Sequence, residues 1–148
     1  IQSTDGGFLI TGFTYSFGAG NNDLYLTKLN SSGVLQWTRT VGGGNDDRGQ
    51  SIVQTNDGGY IVGGFTSTYV QPPGYSDFYA VKFNSSGTVQ WSGSYYSSSN
   101  NGYDYGYSII QTSDGGYATG GSKRNPSTGD GPLFSDLRLR RGRNVSLF

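Results

Sequence analysis

The sequence predicts an all-β protein made of β-propeller-like blades, about two and a half to three in this chain, each a sheet of four antiparallel strands. The phrase QTNDGGY at 54–60 has near-copies at 2–8 and 111–117. A second phrase, DFYAVKFNSSGTVQW at 77–91, has a copy at 23–37. Repeats of roughly 50 residues with four strand-like segments are typical of propeller blades. The chain is also rich in Gly (26) and Tyr (12) and only 32% hydrophobic, which favours short strands and tight turns.

The repeat at residues 49–104 is complete, and each of its elements has a local reason. The phrase NDGG (56–59) is typical of a tight turn in which Gly adopts a positive φ. The phrase NSSG (84–87) indicates a second hairpin. Apolar residues fall on both faces of the strands, so we expect the sheets to stack face to face, with the pairs Gly63-Gly64 and Gly120-Gly121 allowing close approach. The predicted strands occupy residues 49–55, 60–67, 77–84 and 88–96.

The other two copies are incomplete. Residues 1–48 form a first repeat that lacks most of its opening strand, and residues 105–148 form a third, whose later part aligns on Asp136. No Trp-bearing fourth strand follows Asp136, and the tail carries Arg138, Arg140, Arg141 and Arg143. Three explanations stay open: a piece of a longer propeller, several chains completing one assembly, or a tail that departs from the repeat frame. We favour the assembly slightly, because open sheet edges invite pairing.

The motif D-x-Y-L-x-K-L-N-S-S-G-x-x-x-W, followed by G-G-x-x-x-D-x-G-x-S-I-x-Q-T-x-D-G-G-Y, resembles the DGGY-type relatives of the SBBP β-propeller repeats. The resemblance covers residues 1 to about 137, nearly the whole chain. It implies a propeller fold and a place among large secreted or surface-anchored bacterial and archaeal proteins. It carries no information about a ligand.

Missing residue types exclude several kinds of site. The chain has no Cys, His or Met, and its ten acidic residues are all Asp. Thiol nucleophiles, serine–histidine pairs and ordinary zinc or iron sites are therefore excluded. Residues 1–132 carry six Lys and Arg against nine Asp, a net charge of −3, and residues 133–148 carry four Arg against one Asp, a net charge of +3. The body thus offers no basic face for nucleic acid, and no apolar run is long enough to span a membrane.

Several acidic residues could be metal ligands or structural hydrogen-bond acceptors. The loop at 42–49 holds Asp46 and Asp47, whose oxygens suit a hard cation such as Ca²⁺, and Asp104 matches Asp47 in the next repeat. The spacing is not that of an EF-hand, so we favour an internal brace and expect no cofactor. For Asp5, Asp57 and Asp114, turn chemistry is a sufficient explanation. Within the strands, Lys28 and Lys82 are expected to pair with an Asp or to reach solvent.

The stretch YYSSSNNGYDYGY (95–107) is the best candidate for ligand contact. Tyr beside small polar residues gives a rigid amphipathic surface, as in antibody paratopes, and Tyr rings can cover sugar faces. The interpretation we favour is that these rings pack partly between blades. The candidate residues are Tyr95, Tyr96, Tyr103, Tyr105 and Tyr107.

The sequence therefore predicts a non-enzymatic protein of the extracellular space or cell surface, acting as a structural or protein-interaction module. Its expected partner is itself, as a homo-oligomer or filament, or the remaining blades of a longer chain. The alternative is a glycan-binding, lectin-like module that uses the loops rich in Tyr, Asn and Ser. An enzyme is disfavoured, because only repeated Asp, Tyr and Lys could titrate. Glycosylation sequons occur at Asn30, Asn84 and Asn144.

Overall fold

The computed structural model describes residues 1–70, 75–95, 102–125 and 129–133, and in this part the chain is all-β. None of these residues belongs to a helix long and apolar enough to cross a membrane. The ten strands follow in chain order as β1 (Phe8–Thr14), β2 (Asp23–Leu29), β3 (Leu35–Val41), β4 (Asp47–Gln54), β5 (Tyr60–Thr66), β6 (Asp77–Phe83), β7 (Val89–Tyr95), β8 (Tyr103–Gln111), β9 (Tyr117–Asn125) and β10 (Gly129–Leu133).

The strands pair into three antiparallel sheets in which neighbours along the chain are neighbours in space. The first sheet has the order β1-β2-β3, the central sheet β4-β5-β6-β7 and the third sheet β10-β9-β8. The prediction of an all-β chain with antiparallel sheets is confirmed. In the central sheet the four strands agree with the predicted segments to within two residues at either end.

The three Asp-Gly-Gly phrases are tight turns, as expected. Gly6, Gly58 and Gly115 have φ of 80°, 77° and 81°, a region that favours glycine. In the central sheet the Gly58 N–H donates to the Thr55 carbonyl at 2.8 Å, and the other two copies contain the same hydrogen bond. The repeated phrase therefore forms the same turn three times.

The central sheet is covered on both faces. All seven residues of β5 and all seven of β6 are buried. One face, with Val62 and Val81, packs on Leu24 and Leu26 of the first sheet. The opposite face, with Ile61, Phe78 and Ala80, packs on Ile109 and Tyr117 of the third sheet. We call these two interfaces the first seam and the second seam.

The paired glycines act differently from the prediction. A Cβ on Gly63 would lie 2.9 Å from the Cβ of Ile109, so Gly63 does permit close approach of the third sheet. A Cβ on Gly64 would instead meet the Arg48 carbonyl of its own sheet at 1.8 Å, where the β4–β5 pairing shifts register. Gly121 has the same close contact with the Tyr105 carbonyl, while Gly120 has nothing near it. The second glycine of each pair therefore accommodates the bulge within a sheet.

The third sheet also departs from the sequence alignment. The strand paired with β9 is Gly129–Leu133, and Gly131 lies opposite Lys123. In the central sheet the matching position, opposite Thr66, is held by Asp77. The expected start at Asp136 is therefore wrong for the strand next to β9, because only three residues separate that strand from β9. Asp136 itself and the arginines that follow it lie outside the described residues.

The two tryptophans lie at the seams but are only partly buried. The Trp37 ring lies 6.2 Å from the Tyr60 ring across the first seam, and the Trp91 ring lies 5.9 Å from Tyr117 across the second. Their fixed spacing in the repeat therefore reflects contact with the next sheet.

We expect Trp91→Ala to lower the free energy of unfolding by about 2 kcal/mol, less than the 3–5 kcal/mol typical of a fully buried ring. Val89→Ala on the same strand, at a side chain that is 42% exposed, should cost no more than about 0.5 kcal/mol. Urea unfolding of both variants measures the difference. Equal costs for the two variants would show that the Trp91 contact with Tyr117 contributes no stability.

Candidate functional site

One end of each seam holds a buried lysine that the turn aspartate neutralises. Lys82 is only 2% exposed, although Asp57 is largely at the surface. The Lys82 ammonium donates to Asp57 Oδ2 at 2.9 Å, to the Phe83 carbonyl at 3.0 Å and to Gln90 Oε1 at 3.1 Å. The expected pairing of a strand lysine with an aspartate is confirmed, and this lysine stays buried.

The first sheet repeats this arrangement. Lys28 is 5% exposed and donates to Ser3 Oγ at 2.6 Å and to Asp5 Oδ1 at 2.7 Å. Asp5 Oδ1 also accepts the Gly7 N–H at 2.9 Å. These contacts, that with Lys28 first, hold the pKa of Asp5 well below its usual range. The turn aspartates are thus structural, as the turn chemistry predicts.

A glutamine links each turn to the next sheet. Gln54 Oε1 accepts the Thr4 N–H at 2.8 Å, and Gln111 Oε1 accepts the Asn56 N–H, also at 2.8 Å. Thr4 and Asn56 occupy the same position in successive turns, and Gln54 and Gln111 open successive copies of the phrase. The repeated Gln is therefore a contact with the preceding repeat.

The second seam contains a groove of about 320 Å³ at this end of the sheets. Trp91 and Tyr117 contribute aromatic surface to it, and the polar groups include Asp57, Lys82 and Gln111. Lys82 and Gln111 already make the hydrogen bonds given above. The groove is therefore amphipathic, with these two polar groups held in fixed positions.

The opposite end of each seam brings together two buried aspartates. Asp23 and Asp47, on facing sheets, are 1% and 0% exposed. A Cβ on Gly42 would lie 2.0 Å from Asp23 Oδ1 and 2.8 Å from Asp47 Oδ2, so both carboxyl groups are directed at this glycine. Asp77 and Asp104 are the matching pair at the second seam, 8% and 7% exposed. Asp23 and Asp47 have no lysine or arginine partner among the ion pairs of the described residues.

Burial raises the pKa of one member of each pair. For Asp77 the loss of solvent, and then the nearby Asp104, raise the pKa to about 6. For Asp23 burial again raises the pKa, and Asp47 adds to the effect, although backbone N–H groups oppose it. Asp23 Oδ1 is also buried without a hydrogen-bond partner among the described residues. Burial beside Asp47 therefore disfavours the charged form of Asp23.

The metal candidates do not converge on one point. Asp46 accepts a hydrogen bond from Asn22 Nδ2 at 2.9 Å and pairs with Arg48 at 3.0 Å. Asp47 faces Asp23 at the first seam and accepts the Gly43 N–H at 2.8 Å, while Asp104 lies at the second seam. Across the described residues, no three carboxylates are grouped so as to hold a metal ion.

The candidate tyrosines divide between two strands. Tyr103, Tyr105 and Tyr107 form a ladder on β8, with ring centroids 6.3 and 6.4 Å apart and nearly parallel planes. The Tyr105 ring packs edge-on against Phe65 across the second seam at 4.9 Å, while Tyr107 is 54% exposed. Tyr95 packs on Phe78, and Tyr96 lies outside the described residues. The interpretation that these rings pack between sheets therefore fits Tyr105, and Tyr107 has exposed ring surface.

Comparison with known proteins adds no relative: neither a scan against protein-family models nor a search of curated proteins finds a match to this chain. The interpretation of the site therefore rests on the contacts described above. Sequence reasoning missed the Gln54 and Gln111 contacts and the facing aspartates. The available signal was that Gln precedes every Asp-Gly-Gly turn by three residues.

We expect Asp57→Asn to destabilise the protein by about 2 kcal/mol, because it leaves the Lys82 charge buried without a counter-charge. The asparagine keeps an oxygen for the Gly59 N–H, so the turn is preserved. Adding Lys82→Met to this variant should restore most of the loss. Chemical unfolding measures all three proteins, and a double variant less stable than Asp57→Asn would contradict the charge argument.

We expect stability to be greatest near pH 4. Hydrogen bonding from Thr55 and then Lys82 holds the pKa of Asp57 at about 2, so stability falls as pH drops from 4 to 2. The pKa of Asp77 is about 6 in the folded state and about 4 in the unfolded state. Between these values the folded state binds more protons than the unfolded state, so stability falls as the pH rises from 4 to 6. This second loss is up to about 3 kcal/mol from Asp77.

Asp77→Asn should flatten the profile between pH 4 and 6. Asp5→Asn is the matched control: it should lower stability by leaving Lys28 without its counter-charge and should change the acid side of the profile, but it should keep the fall between pH 4 and 6. Thermal unfolding from pH 2 to 8 measures both profiles. An unchanged fall between pH 4 and 6 in Asp77→Asn would show that another group causes it.

Proposed function

We propose that this chain is a non-enzymatic β-propeller-type repeat protein that serves as a structural or protein-interaction module and associates with itself. The observation that carries the proposal is the repetition of one interface. Both seams use a glutamine contact to the preceding turn and a tryptophan against an aromatic residue of the next sheet. A module built this way extends by adding sheets.

The polar groups at the lysine end support a structural role over catalysis. Lys28 and Lys82 are each bound to their turn aspartate, and Gln111 is bound to a backbone N–H. A catalytic acid or base needs access to substrate and a pKa near the working pH. Asp77, with its raised pKa, is 8% exposed and faces Asp104 across a seam. Its surroundings suit packing of two sheets.

We place the protein outside the cell or at its surface. The proposal rests on the composition, rich in Ser, Thr, Asn, Gly and Tyr and poor in Lys and Glu, and on the resemblance of the motifs to repeats of secreted and surface-anchored proteins. The proposed partners are other copies of this chain or further blades of the same kind.

Glycan binding is a second candidate, favoured by one observation. Tyr107 ends the ladder on β8 and is 54% exposed, and its hydroxyl lies 2.9 Å from Ser122 Oγ. An exposed aromatic ring beside hydroxyl groups suits contact with a sugar face. A glycan array tests this role, with Tyr107→Ala as the variant that should lose any signal.

Self-association is tested by the molar mass in solution. We expect the mean mass from light scattering to exceed that of one chain and to rise with protein concentration from micromolar to millimolar. Circular dichroism at each concentration checks that the chain stays folded. A folded chain of monomer mass throughout would contradict self-association.

A further inference from the structure

We propose that the outer face of the first sheet is a docking surface for the third sheet of a second copy, in a head-to-tail contact that repeats the internal seams. This inference rests on the proposed self-association and names the two surfaces that carry it.

The internal seams define what an occupied face is like. At the first seam the central sheet presents Gln54, Tyr60 and Val62 to the first sheet. Tyr60 is 3% and Val62 0% exposed, because the preceding sheet covers them. The hairpin glycine Gly87 lies under the Trp37 ring, where an added Cβ would be 2.9 Å from the ring. A seam therefore buries one aromatic and one aliphatic residue of β5, together with the hairpin.

The first sheet presents the same features on its outer face, and they are exposed. Phe8 and Ile10 stand where Tyr60 and Val62 stand in the central sheet, and they are 39% and 54% exposed. Gly33 matches Gly87 and has nothing within 4 Å of an added Cβ. Gln2 matches Gln54, and its side-chain amide donates at 3.2 Å to the Gly6 carbonyl of its own turn. The face thus has the composition of a buried seam.

The third sheet presents the opposite half of a seam. Ile110 occupies the position in the third sheet that Val53 occupies in the central sheet. Val53 packs into the core of the second seam, whereas Ile110 is 54% exposed. Ser113 matches Thr4 and Asn56, whose N–H groups donate to the next glutamine. Gln2 of a second copy would accept the Ser113 N–H in the same way. One chain therefore carries both halves of the interface.

The two halves are different surfaces, so the contact is heterologous. A heterologous contact closes as a ring or continues as a filament, whereas two identical faces would form a two-fold dimer. The tryptophan of the internal seams has no counterpart among the described residues of the third sheet, so we expect this contact to be weaker than an internal seam and to depend on concentration.

A complementation experiment tests the contact. Ile10→Lys places a charge on the first-sheet face, and Ile110→Lys places one on the third-sheet face. Each variant keeps one intact half, so each alone should be monomeric, with association weakened at least about tenfold. A mixture of the two should form a 1:1 dimer and stop there, because only one pair of compatible faces remains. Phe17→Lys, at a loop residue that is 66% exposed, is the control and should associate as the unaltered chain does.

Ser113→Pro provides a second, milder variant. The Gly115 N–H donates to the Thr112 carbonyl, which puts Ser113 at the turn position where proline is favoured. The variant should therefore fold, and loss of one N–H donor should weaken association about fivefold. Melting temperatures within a few degrees of the unaltered chain confirm folding of every variant.

Analytical ultracentrifugation of single variants and mixtures gives distinct outcomes. Monomeric single variants that pair when mixed support the proposal. If Ile110→Lys associates normally while Ile10→Lys does not associate, the contact joins two first-sheet faces by two-fold symmetry, and the proposal is overturned. Normal association of both variants would overturn it while leaving self-association intact. A monomeric unaltered chain would overturn both proposals.

Discussion

A buried positive charge determines the repeat. Lys82 lies between two stacked sheets, and an ammonium group there is stable only with a counter-charge and further acceptors. Asp57 supplies the charge from the turn, and the turn must bring its backbone very close to do so. A Cβ on Gly59 would lie 2.3 Å from the Phe83 carbonyl and 2.5 Å from the Lys82 ammonium, so only glycine fits there. In the first two sheets the Asp and the second Gly of the phrase therefore accommodate the lysine as well as closing the turn.

Other residues of the repeated phrase are explained by their contacts with the neighbouring sheet. Gln111 accepts a hydrogen bond from the turn of the preceding repeat, and the Tyr117 ring packs against Trp91 of that repeat. Gly58 supplies only the positive φ that closes the turn. A seven-residue phrase thus encodes one turn, one ion pair and half an interface. That is the physical reason for the chain to repeat it at each sheet.

Sequence patterns predicted features that depend on a few adjacent residues. The turns at Gly58 and its copies were predicted, as were the central strands to within two residues at either end. Pairing of Lys82 with an aspartate was one of two expected outcomes, and the sequence did not identify Asp57 as the partner. Contacts between repeats were harder, because the residues that face Asp23 or Gln54 are about 24 and 50 positions away in the chain. The predicted start of the strand that pairs with β9 was wrong, because the number of residues between β9 and that strand, unlike the repeat itself, follows no pattern.

The two ends of each seam differ in their electrostatics: one holds a lysine–aspartate pair and the other holds two facing carboxyl groups. The loops of the repeat vary in length at the carboxyl end. At the lysine end the charges cancel, the turn residues are fixed and the hydrogen bonds repeat with nearly equal lengths. At the other end two carboxyl groups face each other, and here the loops differ: Asp5 to Asp23 spans 18 residues and Asp57 to Asp77 spans 20. The lysine end therefore sets how neighbouring sheets align. The carboxyl end, where burial and the facing carboxylate raise the pKa of Asp23 and Asp77, accommodates loops of different length.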